Sequence, residues 1–120
     1  IYLPHPSDNH SDHRIAFEAA AACTKWFRYN SIRQVLAYET LSETRFGIDP
    51  GIQAFHANHY VDISEHLDGK IAALSLYGDE FAAHPFPRSE DGVRALVTLR
   101  GGESGCMAAE AFMLLRAIET

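Results

Sequence analysis

A short apolar run, Ile1-Tyr2-Leu3, is followed by a polar loop and then a helical pattern that begins near Arg14, and no other stretch constrains the fold as much. An apolar triplet, a loop, and apolar residues at 3.6-residue spacing make the start of a strand–loop–helix unit. In open α/β sheets that loop is the usual ligand site, because it stands at the carboxyl end of a strand. Here it reads Pro4-His5-Pro6-Ser7-Asp8-Asn9-His10-Ser11-Asp12-His13-Arg14, with three imidazoles and two carboxylates within nine residues.

Strand and helix patterns alternate along the rest of the chain. Ile15, Ala19, Ala22, Cys23 and Trp26 recur at helical spacing and predict a helix from Arg14 to about Arg28, its small residues facing a sheet. Val35-Leu36-Ala37-Tyr38 predicts a second buried strand, and Tyr60-Val61-Asp62-Ile63 a third short one. Glu39 to Ala57 has no periodicity and contains Gly47, Pro50 and Gly51, so it reads as a loop or edge ribbon. Ser64 is placed to cap a helix to about Gly78, with Leu67, Ile71 and Leu74 inward. His84 to Arg88 is a proline-bounded connector. Ser89 opens a further helix carrying Val93, Leu96 and Val97, Arg100 to Gly105 reads as a flexible loop, and Ala108, Phe112 and Leu115 mark a last helix. The order implies a piece of an α/β sheet with helices on its faces.

Composition narrows the function classes. A chain of 120 residues, 47% hydrophobic, can bury one core, so 1–120 is expected to be a single domain. A net charge of -6 opposes nucleic-acid binding, which needs a basic stripe. No apolar stretch approaches the roughly 20 residues of a membrane span. No charged-then-apolar export signal opens the chain, which predicts a cytoplasmic protein. Cys23 and Cys106 lie in helix-like segments and read as small core residues. The chain starts without Met inside a strand-like run, which predicts a preceding segment.

His10 and His13 lie three residues apart, with Asp12 between them. If His13 opens the helix, its ring points back toward the loop that carries His10, and both face one cavity. Neutral imidazole is a zinc ligand, and a catalytic zinc keeps one position for water. A second, non-ligating histidine can then donate to an oxyanion or a leaving amine. The same spacing also fits solvated loop histidines beside a helix capped by Asp12.

Ser11-Asp12-His13-Arg14 with His10 before it resembles the C-terminal half of the PIG-L/LmbE family of zinc-dependent de-N-acetylases. Val35-Leu36-Ala37-Tyr38-Glu39, Asn58 to Ser64, Lys70 to Tyr77, Pro85 to Ser89, Arg100-Gly101, Gly105 and Ala109-Glu110-Ala111-Phe112 continue the likeness over nearly the whole chain. The resemblance implies the C-terminal half of a Rossmann-like, three-layer sheet-and-helix fold. It implies hydrolysis of an N-acetyl group on an N-acetylglucosamine-type conjugate, with zinc as cofactor. On it, His13 maps to a zinc ligand, His10 to the group that polarises the carbonyl, and Asp12 to a residue that orients the site.

The family's other signature, His-Pro-Asp-Asp-Glu, supplies two zinc ligands and the general base, and it is absent here. His5-Pro6-Ser7-Asp8 imitates it, with the same His-to-Asp spacing, but Ser7 stands in the place of the base. His5 to Arg14 therefore reads as one element, the second motif. Alone, the chain is expected to hold one zinc ligand, or a loose two or three if His5 and Asp8 bend in. It is then a fragment of a deacetylase, half of a split enzyme, or a non-catalytic scaffold or partner subunit, and the fragment is the favoured reading. Exposed sheet surface predicts a homo-oligomer or association with the missing N-terminal half. His56, His59, His66 and His84 read as surface histidines, Arg100 as a solvated helix end, Glu110 as a partner for Arg88 or Arg94, and Trp26 and Phe27 as core and its boundary.

Overall fold

The computed structural model describes residues 1–119. Its elements are β1 (Tyr2–Pro4), α1 (Ser11–Ala22), β2 (Gln34–Tyr38), β3 (His59–Asp62), α2 (Leu67–Ser75), a 3₁₀ turn (Gly78–Glu80), α3 (Glu90–Ser104) and β4 (Ala109–Ala117). The fold is α/β, with a four-stranded sheet in the order β1-β2-β4-β3. The sheet is mixed rather than parallel. β1 and β2 are parallel, Leu3 opposite Ala37, whereas β4 runs antiparallel to β2, Ala37 opposite Met113. The chain forms two units, 1–59 with 112–120, and 60–111. β4 begins in the second and ends in the first.

In the first unit, β1, α1 and β2 make the strand–helix–strand start that the opening residues predict. Leu3, Val35, Leu36 and Ala37 are buried, Ala37 completely. α1 departs from expectation in extent and in face. It starts at Ser11, because His10 is its N-cap and accepts the Asp12 N–H, and it ends at Ala22 rather than Arg28. His13, Phe17, Ala20, Ala21 and Thr24 are half-buried, whereas Ile15, Ala19, Ala22, Cys23 and Trp26 are exposed. Small and apolar residues surround the helix on all sides, so periodicity alone does not choose its inner face. Trp26 and Phe27 are 66% and 63% exposed and pack edge to face on each other, not in a core. Cys23 is exposed and Cys106 half-buried, which corrects their reading as core residues.

In the second unit, Ile63, Val97 and Ala108 form a buried cluster with Leu67 against it. α2 turns Leu67, Ile71 and Leu74 inward as expected, but it begins at Leu67 behind His66. Ser64 instead bonds back to Asp62 through its N–H (2.9 Å) and hydroxyl (2.5 Å), which holds the Asp62 carboxyl below its usual range. α3 starts where predicted, with the Ser89 hydroxyl accepting the Gly92 N–H. It then continues through Arg100-Gly101-Gly102-Glu103-Ser104, the stretch expected to be a loop, and stops at Gly105 in the left-handed conformation (φ 80°). Gly101 belongs inside because its Cα lies against the returning chain, where an added Cβ would stand 2.6 Å from Cys106 O.

The last segment is a strand, not a helix. Ala109 to Ala117 is made of helix-forming residues, but the edge of β2 offers an unpaired row of backbone groups, and pairing overrides propensity. Glu110 consequently pairs with Lys70, while Arg88 pairs with Glu80 and Arg94 with Glu90 and Asp68. Arg100 is buried, with its guanidinium on Glu103, rather than solvated. No helix among the described residues is long and apolar enough to cross a membrane.

Candidate active site

The loop from His5 to His10 leaves β1 at its carboxyl end. β2 is parallel to β1, so the loop after Tyr38 emerges at the same end of the sheet. Both loops belong to the first unit.

Asp8 is the anchor, fully buried together with His5 on a loop whose Asn9 and His10 are exposed. Its N–H donates to His5 O at 3.1 Å, and its carbonyl accepts the Arg14 guanidinium at 2.9 Å. Arg14 also donates to Asn9 O at 2.7 Å, which folds the loop back over the start of α1. A buried carboxylate needs partners on both oxygens. Oδ1 accepts the Thr44 hydroxyl at 2.6 Å, and Oδ2 lies 2.7 Å from His13 Nδ1. An ionised carboxylate only accepts, so Nδ1 carries the hydrogen, and in the neutral ring His13 Nε2 keeps the free lone pair.

His10 is arranged the other way round. Its Nδ1 accepts the Asp12 N–H at 3.1 Å, so in the neutral ring the hydrogen is on Nε2. The two rings stack with centroids 5.3 Å apart and planes inclined by 30°. One first helical turn thus presents an acceptor nitrogen and a donor nitrogen side by side. Asp12 is exposed in that turn, its carboxylate accepting the Ser11 hydroxyl at 3.4 Å, and it complements the helix dipole.

His5 is 1% exposed, with its Nδ1 accepting the Ser7 N–H at 3.3 Å and its Nε2 without a hydrogen-bond partner. The Phe55 ring meets it edge-on at 5.5 Å. Burial pushes its pKa down; Asp8 and Glu39 oppose that shift and His56 adds to it. His5 is therefore a neutral buried imidazole.

His10, Asp12 and His13, the three residues singled out in the sequence, do share one helical turn. The carboxylate that touches the His13 ring, however, is that of Asp8, and Thr44 supports it from thirty-six residues away. Burial of Asp8 follows from where the chain turns, and nothing in the local pattern marks Thr44. His13 Nε2 suits a metal, but among the described residues no three His, Cys, Asp or Glu side chains form a group able to hold one. In the second unit, an open depression is lined by Ile63, Glu65, His66, Gly69, Lys70 and Glu110, and Lys70 and Glu110 pair with each other there. No family model and no curated protein matches the chain.

Proposed function

We propose that the chain is the C-terminal part of a zinc-dependent amide hydrolase of the PIG-L/LmbE kind, acting on an N-acetylated amino-sugar conjugate. The observation that carries this reading is the pair of stacked histidines with opposite hydrogen-bonding character, His13 turned by Asp8 and His10 by the backbone of Asp12. Acyl transfer needs both characters: a lone pair to hold a Lewis acid, and an N–H to receive the developing oxyanion.

In this reading His13 Nε2 is one zinc ligand, with Asp8 as the carboxylate that sets its tautomer. With the missing ligands in place, a zinc ion held by His13 would supply Lewis-acid activation of the carbonyl and of a water. His10 Nε2–H donates to the carbonyl oxygen as it gains charge, and Asp12 keeps the His10 ring turned by supplying the backbone N–H. The remaining ligands and the general base belong to the family's first motif, so the reading requires an N-terminal half of the Rossmann-like fold on the same or a partner chain. The deciding experiment is native mass spectrometry with elemental analysis of the purified particle. Zinc bound in wild type and lost in His13→Ala supports the hydrolase, whereas a metal-free particle at micromolar zinc defeats it.

A second reading, a non-catalytic partner subunit, draws on the exposed apolar side chains of Ile15, Trp26 and Phe27. It expects a stoichiometric complex with no zinc and no effect of either histidine variant.

A further inference from the structure

Asp8 can act on His13 only if its own carboxylate is held still. The His13 imidazole has two tautomers, and a carboxylate that moves away from Nδ1 no longer chooses between them. The side chain that holds it in place comes from a different loop. Thr44 Oγ1–H donates to Asp8 Oδ1 at 2.6 Å, leaving Oδ2 for His13 at 2.7 Å. The direction of the Thr44 hydroxyl is itself determined, because its oxygen accepts the Thr40 N–H at 2.7 Å and its one hydrogen then goes to Asp8. β-Branching further restricts the Thr44 rotamer.

The backbone reinforces this arrangement. Glu43 N–H and Thr44 N–H both donate to Thr40 O, at 3.0 and 2.9 Å, making a tight turn after β2. Asn9 N–H donates to Glu43 O at 3.3 Å and ties that turn to the histidine loop. A continuous path therefore runs from Thr40 N–H through Thr44 Oγ1 and the buried carboxylate to the His13 ring.

We infer that Thr44 is a positioning residue for the histidine pair, acting through Asp8 to fix the tautomer of His13 and the direction of its free Nε2. For the neutral ring, the tautomer follows from the hydrogen bonds to the Asp8 carboxylate. The consequence for metal rests on the hydrolase reading.

The test uses full-length protein with ¹⁵N-labelled histidine and three variants. Thr44→Val keeps the shape and removes the donor, Thr44→Ala admits a water, and Thr44→Ser restores the hydroxyl. Long-range ¹H–¹⁵N spectra read the His13 tautomer, and titration with zinc alone against a chelator reads affinity. Wild type and Thr44→Ser should show one His13 tautomer, protonated at Nδ1. Thr44→Val and Thr44→Ala should show a mixture, with zinc affinity lowered about 10- to 100-fold. An unchanged single tautomer in both donor-free variants overturns the inference, and so does failure of Thr44→Ser to restore it. If wild type takes up no zinc while the tautomer still shifts in Thr44→Val, the hydrolase reading fails and the positioning role stands.

Discussion

The rings of His10 and His13 stack 5.3 Å apart in the first turn of α1, yet each is turned by a different partner, His10 by the backbone N–H of Asp12 and His13 by the buried Asp8 carboxylate. The pair is complementary in its hydrogen bonds rather than two equivalent surface imidazoles. Ring orientation can therefore be removed one member at a time.

His10 caps α1, and the hydrolase reading gives it a second, separable duty. His10→Ala should leave zinc bound but slow turnover about 100- to 1,000-fold, as removal of an oxyanion donor does. It should also cost about 1 kcal/mol of stability, because the N-cap is lost. His10→Asp should restore the cap and the stability without restoring turnover. Parallel kinetics and thermal melts check this, and near-normal rates in either variant would remove the oxyanion role.

Asp8→Asn keeps the shape of the side chain and removes the charge. A hydrogen bond to a buried charged group contributes about 1.5–3 kcal/mol, so a destabilisation of that order is expected in denaturant unfolding. The His13 ring should lose its single tautomer in the same variant. Unchanged stability and spectra would show that the contact is incidental.

His5 should give the protein an acid-sensitive limb. Its folded pKa lies below the unfolded value of about 6.5, because burial disfavours the charged ring. Between the two values the unfolded chain binds more protons, so stability rises with pH, with a slope of at most about 1.4 kcal/mol per pH unit. The contribution is complete above the unfolded pKa and declines as pH falls below it. His5→Leu should flatten the unfolding free energy between pH 5 and 7, and an identical slope in the variant would refute the assignment.

Two adjacent glycines in α3 should respond with opposite sign. At Gly101 a Cβ would stand 2.6 Å from Cys106 O, 2.9 Å from Met107 C and 3.0 Å from Ala108 N, all backbone atoms. Gly101→Ala should then cost about 1–3 kcal/mol, as overpacking does. At Gly102 nothing lies within 4 Å of that position, and Gly102→Ala should add up to about 1 kcal/mol by helix propensity. Chemical denaturation of both variants decides; a loss at Gly102 equal to that at Gly101 would contradict the packing argument.

What the sequence determined was local. Leu3 and Val35 to Ala37 mark β1 and β2 because short apolar runs bounded by polar residues have few other places to go. Ser89 and the spacing of Val93 and Val97 mark α3, and the His10–His13 spacing marks the candidate site. Tertiary structure decided the rest, because the deciding partners are distant in sequence. Ala109 to Ala117 is a strand because β2 offers it hydrogen bonds, although its residues favour helix. Gly101 and Gly102 stay helical because one of them lies against Cys106 and Met107. α1 turns Phe17 inward and Ile15 outward because burial depends on where β1 lies, not on which residues are apolar. Which carboxylate would hold His13 was open in the sequence for the same reason. Asp8 and Asp12 are equal as letters, but only Asp8 is buried, and only there does Thr44 reach it.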